Sequence, residues 1–299
     1  MRLAITHETR YSYSPAVQTA QHVAHLQPAD TPCQKVLSHS LHVEPAAHVP
    51  HNVDAYCNHR AYWALNNPHD GLLVRACSEI ETSEIEQAKA TQSWESVREH
   101  FRYHGGLPAD VNNGFVFGSH HAPVHEAFLA YAQSSFSPGR PLVQAATELT
   151  ARMHRDFTYA SQSTDINTPA LEALESKRGV CQDFAHILLA CLRSLGLPAR
   201  YVSGYLLTQP PPGQPRLVGS DASHAWASVY LPELASHACQ GWLDLDPTNN
   251  RCGLASPGLD YVRLAVGRDF ADVSPLRGVL QGGGEHTLDV AVTVAPLDE

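Results

Sequence analysis

Residues 178–198 read RGVCQDFAHILLACLRSLGLP, and this stretch predicts a helix that carries a cysteine in its first turn. The apolar residues after Cys181 are spaced to share one helical face, namely Phe184, Leu188, Cys191, Leu192 and Leu195. Gly196 and Pro198 should end the helix, and Gly179 should let the chain turn sharply into it. The free N–H groups and the dipole of a helix start favour an anion, so Cys181 is a candidate thiolate nucleophile. A small buried core cysteine is the structural alternative.

The composition disfavours several classes of function. At 299 residues the chain can form one large domain or two, and its 43% hydrophobic and 17% charged residues are typical of soluble globular proteins. The formal net charge of −10 disfavours nucleic acid and membranes as partners. We find no apolar run of membrane-spanning length and no secretory signal at the N-terminus. Seven scattered cysteines without a CxxC pattern predict reduced thiols and a cytoplasmic location.

Residues 1–85 alternate as β-strands do and predict a small antiparallel β domain that packs against its neighbour or frames a substrate. The first strand should cover 3–13 and end at Ser14-Pro15, and the others should cover 38–44, 60–65 and 72–82. Residues 86–122 carry loop signals and are interpreted as a connection between domains.

Residues 123–299 predict helices first and strands afterwards. Before the cysteine helix, the helices should cover 125–135, 141–156 and 168–175. The last of these should have Thr168 as its N-cap and Pro169 at its first position. The strands should cover 199–207, 223–231, 241–246, 264–267 and 287–294, with a turn at 282–284 before the last. The proline-rich residues 209–215 predict a stiff surface loop. The fold class is therefore α+β, and the second domain ends in a C-terminal β extension.

Two of these strands carry the partners that a cysteine nucleophile needs. His224 begins the strand SHAWASVY, 43 residues after Cys181, and Asp246 ends the strand GWLDLD, 22 residues further on. A thiol, a histidine base and a carboxylate that orients the base are the set used in nucleophilic acyl transfer. Asp244 shares a strand face with Asp246, so alternation leaves both carboxylates open. A strand histidine that packs in the core and an Asp-Pro that opens a turn are the structural alternatives.

Two other residues of the cysteine helix need a separate interpretation. His186 falls about 140° round the helix from Cys181, so it should face away from the thiol, either behind the site or toward solvent. Asp183 should support the start of the helix.

Three motifs in this chain resemble those of the transglutaminase-like superfamily: GVCQDFA at 179–185, SHAW at 223–226 and GWLDLDPT at 241–248. The chain is most similar to bacterial members of that superfamily that are regarded as candidate cysteine proteases. Their β-rich N-terminal region resembles residues 1–80, and their tail resembles VGRDFADVSPLRG at 266–278. The resemblance implies a papain-like catalytic domain over 123–299, with the cysteine on a helix packed on an antiparallel sheet. It also implies Cys181 as nucleophile, His224 as base and Asp246, in its apolar-Asp-Pro-Thr pattern, as the orienting acid.

The chain departs from the animal transglutaminases in two respects. Gln182 stands where those enzymes have tryptophan, and acidic calcium-binding loops are not visible, so neither calcium dependence nor their acceptor specificity is implied. An oxyanion also needs donors, and the backbone N–H of Cys181 is the first candidate. Side chains that could add a donor or frame the substrate are Tyr159, Gln182 and Trp226.

We therefore expect cysteine-dependent hydrolysis of a peptide or protein amide through a thioester, with transamidation as the other outcome of the same acyl-enzyme. Neither a cofactor nor a metal is expected, and no pattern specifies an oligomeric state. One alternative is a non-catalytic protein-binding module on the same fold. Another is a zinc hydrolase, suggested by 19 histidines; their closest pairs lack the HExxH form and are His22–His25, His48–His51 and His120–His121.

Overall fold

The computed structural model describes residues 1–103, 105, 110–160, 168–208 and 223–297, and these residues form helices and strands in separate layers. The helices are α1 (Trp94–His100), α2 (Glu126–Gln133), α3 (Leu142–Asp156), α4 (Ala170–Ser176), α5 (Cys181–Ser194) and α6 (Phe270–Val273), with short 3₁₀ helices at Val111–Val116 and Pro232–Leu234. The first strands are β1 (Arg2–Ala24), β2 (Gln34–Glu44), β3 (His51–Val53), β4 (His59–Leu65), β5 (His69–Thr82), β6 (Thr158–Tyr159) and β7 (Arg178–Gly179). The later strands are β8 (Ala199–Leu206), β9 (Ser223–Tyr230), β10 (Trp242–Asp246), β11 (Arg251–Leu254), β12 (Tyr261–Gly267), β13 (Leu276–Gly282) and β14 (Glu285–Pro296).

Strand β1 is the centre of a seven-stranded antiparallel sheet, here called the N-terminal sheet. Its first half lies between β5 and β14, and its second half lies between β4 and β13, while β2 and β3 lie outside β5 and β4. The predicted end of this strand at Ser14-Pro15 is wrong. The core-facing Val17, and then Ala20 and Ala24 after a register shift between Val17 and Thr19, show that the strand continues beyond the proline.

Strands β13 and β14 follow one another along the same side of β1, both antiparallel to it. The predicted turn at 282–284 is therefore not a hairpin: it is a break in one long edge strand opposite Pro15. Gly282 and Gly283 have φ angles of +79° and +78°, which favour glycine. The C-terminal β extension thus completes the sheet that the first residues begin.

The second sheet, here called the core sheet, has the antiparallel order β11-β10-β9-β8-β12. Helix α5 packs against β9 and β8 and is buried from Asp183 to Arg193, because α2, α3 and α4 cover its other faces. This arrangement confirms an α+β fold with a helix-borne cysteine on an antiparallel sheet. Within α4, Pro169 is the N-cap and makes no side-chain cap, so the predicted capping role of Thr168 is wrong.

Residues 86–122, interpreted above as a connection, contribute α1 and a 3₁₀ helix to the core. Val97, Phe101 and Phe115 from this region are buried in the same apolar cluster as the inner face of α5. The loop predicted at 209–215 lies outside the described residues. No helix within the described ranges combines the length and the apolar character needed to cross a bilayer.

Candidate active site

Cys181 is the first residue of α5 and is half-buried. The Asp183 side chain folds back over this helix start, where its Oδ2 accepts a hydrogen bond from the Val180 N–H at 2.8 Å. A Cβ on Gly179 would lie 2.6 Å from that oxygen, so the glycine leaves room for the carboxylate. Gly179 lies in β7 without a positive φ, so the reason for glycine is this close approach and not the sharp turn that was expected.

His224 lies on β9, opposite Gly204 of β8, and is 8% exposed. Its Nε2 donates a hydrogen bond to Oδ2 of Asp246 at 2.7 Å, and the Cys181 side chain lies close enough to the ring to raise the pKa of His224. Because Nε2 is occupied by the carboxylate, Nδ1 is the nitrogen available to the thiol. The fold therefore brings together the three residues that the sequence singled out, from α5, β9 and β10.

The groups around His224 and Asp246 favour the charged forms of both side chains. Burial alone would lower the pKa of His224, but the hydrogen bonds to Asp246 and Cys181, and the charges of those two groups, outweigh burial and raise the pKa. Burial alone would raise the pKa of Asp246, whereas hydrogen bonds from His224, Tyr261 and Asn249 lower it. An imidazolium and a carboxylate can therefore coexist in this buried place at neutral pH.

Asp246 accepts hydrogen bonds from more donors than the motif predicted. The Tyr261 hydroxyl donates to its Oδ2 at 2.6 Å, the Asn249 side-chain amide donates to the same oxygen at 2.8 Å, and the Thr248 N–H donates to Oδ1 at 2.8 Å. The sequence analysis missed Tyr261 and Asn249. Asn249 could have been found, since it lies within one turn of Asp-Pro, whereas Tyr261 enters from β12 without a local signal.

Asp244 has different partners from Asp246, although the two share a strand face. Its Oδ2 accepts a hydrogen bond from the indole N–H of Trp226 at 3.0 Å, and its Oδ1 accepts one from the Ser228 hydroxyl at 2.5 Å. Ser228 is the residue paired with Asp244 across β9 and β10. Of the two carboxylates that alternation left open, Asp246 is the one that contacts His224.

Three further side chains were candidates for oxyanion or substrate-framing roles. Trp226 stacks on His224 with ring centroids 6.0 Å apart, is 1% exposed, and donates its N–H to Asp244, so it packs beneath the histidine. Tyr159 is 54% exposed on β6. Partial burial, and then the charges of Cys181 and Asp183, raise the pKa of Tyr159, so its hydroxyl is within electrostatic reach of the thiol. Gln182 is half-buried directly after Cys181.

His186 is buried, so the alternative in which it faces solvent is wrong. Its Nε2 accepts a hydrogen bond from the Phe270 N–H at 3.3 Å, and its ring stacks on His121 with centroids 5.1 Å apart. Burial lowers the pKa of His186 to about 3. The residue therefore packs as a neutral ring between α5 and the segment that begins α6.

His22 and His25, which were considered as a pair of zinc ligands, each contact a residue outside that pair. His22 stacks on Trp63, and His25 donates a hydrogen bond to the Ser274 carbonyl at 3.2 Å. Across the part of the chain that the structure describes, no three His, Cys, Asp or Glu side chains are grouped as a metal site requires.

The fold has the mixed helix-and-sheet core of transglutaminase-like proteins, and comparisons with known proteins agree with this class. The family model of the transglutaminase-like superfamily matches residues 130–247, and the model of the bacterial transglutaminase-like N-terminal region matches residues 3–81. The chain therefore belongs to the bacterial transglutaminase-like proteins.

Individual relatives extend this assignment over the whole chain. An uncharacterized protein of Mycobacterium tuberculosis H37Rv is 38% identical over 304 residues, covering 99% of this chain and 93% of its own. The crystal structure of a candidate cysteine protease from Cytophaga hutchinsonii matches with a TM-score of 0.75 at 20% identity, covering 100% of this chain and 91% of that one. A protein-glutamine gamma-glutamyltransferase of Pseudomonas aeruginosa is 30% identical over 112 residues, which is 36% of this chain and 16% of that protein.

Proposed function

We propose that this protein is a cysteine-dependent acyl-transfer enzyme that hydrolyses peptide or side-chain amides. The observation that carries the proposal is the position of His224, which donates a hydrogen bond to Asp246 at 2.7 Å and lies close enough to Cys181 for that side chain to raise its pKa. A histidine held in this way can take a proton from the thiol and keep it, because the carboxylate stabilises the imidazolium. Family membership supports the same chemistry.

In the proposed acylation step, His224 accepts the thiol proton and the Cys181 thiolate attacks the carbonyl carbon of the amide. The negative charge that develops on the carbonyl oxygen faces the N-terminal end of α5, with the Cys181 N–H as the first donor. Tyr159, whose pKa the charge of Cys181 helps to raise, and Gln182, the next residue of α5, are the side chains proposed to add a second donor or to frame the substrate. The C–N bond then breaks, and His224 returns its proton to the leaving amine.

In the deacylation step, His224 takes a proton from the incoming nucleophile, which attacks the thioester carbonyl and releases Cys181. Water gives hydrolysis and a primary amine gives transamidation, so the two reactions share every residue of the trio. We propose water as the acceptor. The name of the Pseudomonas relative is a reason to include glutamine side chains among the amides tested.

We also propose that the reaction takes place in the cytoplasm. All seven cysteines are unpaired, and Cys57 is exposed. Thiols in this state suit a reducing compartment.

The proposal is tested with p-nitrophenyl acetate, an activated ester that can acylate a thiolate whatever the natural substrate is. We expect a burst of one equivalent of p-nitrophenolate followed by slower turnover, with an acetyl adduct on the peptide that contains Cys181. Cys181→Ala should abolish the burst, and His224→Ala should slow turnover at least ~100-fold. Cys57→Ala is the control that should behave as wild type. A burst that survives Cys181→Ala, or an adduct spread evenly over several cysteines, would contradict the proposal.

The acceptor is tested with a library of glutamine-containing and other peptides, with and without a primary amine. Hydrolysis of a glutamine side chain converts it to glutamate, whereas transamidation adds the mass of the amine less ammonia. We expect the hydrolysed product with or without the amine. An amine adduct as the main product would overturn water as the acceptor while leaving the acyl-enzyme in place.

A further inference from the structure

Strand β12 lies at the edge of the core sheet, with β8 on one side. Along its other side, within the described residues, two side-chain amides of the N-terminal region take the place of a strand. Gln34, the first residue of β2, accepts a hydrogen bond from the Arg263 N–H at 2.8 Å and donates one to the Arg263 carbonyl at 2.9 Å. Each backbone group of Arg263 on this edge is thus satisfied by one end of the same amide.

Asn58, just before β4, repeats this arrangement three residues along β12. Its Oδ1 accepts a hydrogen bond from the Val266 N–H at 2.8 Å, and its Nδ2 donates to the Val266 carbonyl at 2.8 Å. Both amides are fixed from behind, since Gln34 also donates to the Ala29 carbonyl and Asn58 also donates to Asp54. Gln34 is 5% exposed and Asn58 is 2% exposed, so water cannot readily replace either one.

Between these clamps and the candidate active site lies Tyr261, the first residue of β12. Its hydroxyl donates the 2.6 Å hydrogen bond to Asp246, and its ring meets Trp226 edge-on with centroids 5.4 Å apart. Arg251 lies over the same ring and pairs with Asp260. A shift of β12 would therefore move the Tyr261 hydroxyl, and with it a donor to the carboxylate that orients His224.

We propose that Gln34 and Asn58 are positioning residues for the acyl-transfer reaction, through which the N-terminal β region holds β12, Tyr261 and Asp246 in place. This inference rests on the function proposed above, and it gives the N-terminal region a task in that reaction. Misplacement of a supporting group by ~1 Å can slow an enzyme by as much as ~100-fold, so clamps of this kind have measurable effects.

The charges around Asp246 determine the direction in which the titration of His224 should move when the Tyr261 hydroxyl is withdrawn. The Tyr261 hydroxyl points its positive end at Asp246 and so spreads the carboxylate charge. Without it, Asp246 attracts the imidazolium more strongly, and the ring of His224 should lose its proton at a higher pH. Displacement of β12 should act in the same direction, since it withdraws the same hydroxyl.

The test uses the full chain and two readouts, namely the pH at which the ¹³C-labelled His224 ring titrates and the steady-state hydrolysis of p-nitrophenyl acetate. His224→Ala assigns the signal. Tyr261→Phe, Gln34→Met and Asn58→Ala should each move the titration to higher pH and slow turnover about tenfold. Tyr205→Phe is the matched control: it removes another buried bond between the two regions, from Tyr205 to His7 at 2.8 Å, without touching the outer edge of β12.

A double variant decides whether the clamp acts through Tyr261. Gln34→Met added to Tyr261→Phe should change the titration and turnover little beyond Tyr261→Phe alone. If the effects of Gln34→Met and Tyr261→Phe on titration and turnover simply add, the inference is wrong. It is also wrong if Gln34→Met and Asn58→Ala are folded and keep the wild-type titration and turnover. Thermal unfolding establishes that each variant is folded, and if Gln34→Met is not, Asn58→Ala provides the same comparison. Wild-type protein without an acylation burst would instead count against the proposed function, and the titration would still report on the clamps.

Discussion

The N-terminal sheet and the core sheet treat their buried polar atoms differently. In the N-terminal sheet, Nε2 of His22, His39 and His69 and the indole N–H of Trp63 are buried without a hydrogen-bond partner among the described residues, whereas beside the core sheet the Thr248 hydroxyl is in this state. In the core sheet, His224, Asp244 and Asp246 are as deeply buried, and each has at least one partner at 3.0 Å or less.

A buried polar atom without a partner costs about 1–3 kcal/mol, so the N-terminal sheet accepts a loss that His224, Asp244 and Asp246 of the core sheet avoid. Long alternating strands and the apolar cluster around Trp63, Leu72 and Val74 stabilise the N-terminal sheet regardless of where a ring nitrogen points. At the candidate active site the direction of each polar atom matters, because the chemistry depends on it. Accurate placement of polar atoms is therefore required around the candidate active site, whereas apolar burial is enough in the N-terminal sheet.

Asp246→Asn is expected to have the largest effect of the substitutions that test this comparison. An amide at this position carries no charge to stabilise the His224 imidazolium, so turnover of p-nitrophenyl acetate should fall about 1,000-fold. Asp244→Asn is the matched control on the same strand: it should lower the melting temperature but keep turnover per folded molecule within about tenfold. Equal losses of turnover in the two variants would show that Asp246 has no special relation to His224.

Gly204→Ala is expected to have the next largest effect, on stability. A Cβ at Gly204 would lie 2.1 Å from the Val262 carbonyl oxygen and 2.6 Å from the Trp226 ring, and neither backbone nor packed indole can easily give way. We expect a loss of about 3 kcal/mol in the free energy of unfolding.

The matched substitution in the N-terminal sheet is Gly71→Ala. There the nearest atom, the Tyr11 carbonyl oxygen, would lie 3.4 Å from the new Cβ, an ordinary contact. Denaturant unfolding should give a change of less than ~0.5 kcal/mol. If Gly204→Ala changed the free energy of unfolding as little, the core sheet would have room for a Cβ at this position after all.

His22→Phe tests the cost of an unpartnered ring in the N-terminal sheet. Burial, and then the charge of His69, lower the pKa of His22 to about 4. The unfolded chain therefore binds this proton at a higher pH than the folded one, and stability must fall as the pH drops from about 6.5 toward 4. The variant lacks this titration, so it should lose about 2–3 kcal/mol less than wild type between pH 7 and pH 4.

The opposite sign is expected at His224. Its pKa is raised in the folded state, so the stability it adds is present below pH 6.5 and is lost as the pH rises through the folded value. Urea unfolding at several pH values checks both directions. An acid-induced loss of stability that is identical in wild type and His22→Phe would contradict the assignment to this ring.

Glu8→Gln should have the smallest effect. Glu8 accepts hydrogen bonds from Arg10 and Arg75 on the exposed side of the N-terminal sheet, and these bonds lower its pKa. Solvent screens such pairs, so we expect less than ~0.5 kcal/mol in urea unfolding at low salt, and still less at high salt. A loss above ~1 kcal/mol would mean that the exact placement of polar groups also matters for the stability of the N-terminal sheet.

A helix or strand can be predicted from the sequence when its hydrophobic residues keep one period without interruption along the element. Helix α5 and strand β9 have such patterns, and they place Cys181 and His224 on elements that the fold packs together. Asp244 and Asp246 could not be separated by pattern, because the choice depends on the register between β9 and β10. That register is a property of two strands, and a single strand does not encode it.

Pro15 and Tyr261 were missed for related reasons. A proline normally ends a strand because it lacks an N–H, but here the partner strand breaks at the same place, between Gly282 and Glu285, so no ladder bond is lost. Tyr261 reaches Asp246 only because β12 lies beside β8 in the finished sheet. Long-range pairing decides both cases, and neither residue carries a short-range signal.

The return of β13 and β14 to β1 has a consequence for biosynthesis. Residues 2–24 leave the ribosome before residues 276–296, and one flank of that strand stays open until those later residues have been made. Throughout translation the nascent chain must therefore keep an unfilled strand edge from pairing with its neighbours, which is a known route to aggregation. A strand that is made early is thus closed by strands that are made much later.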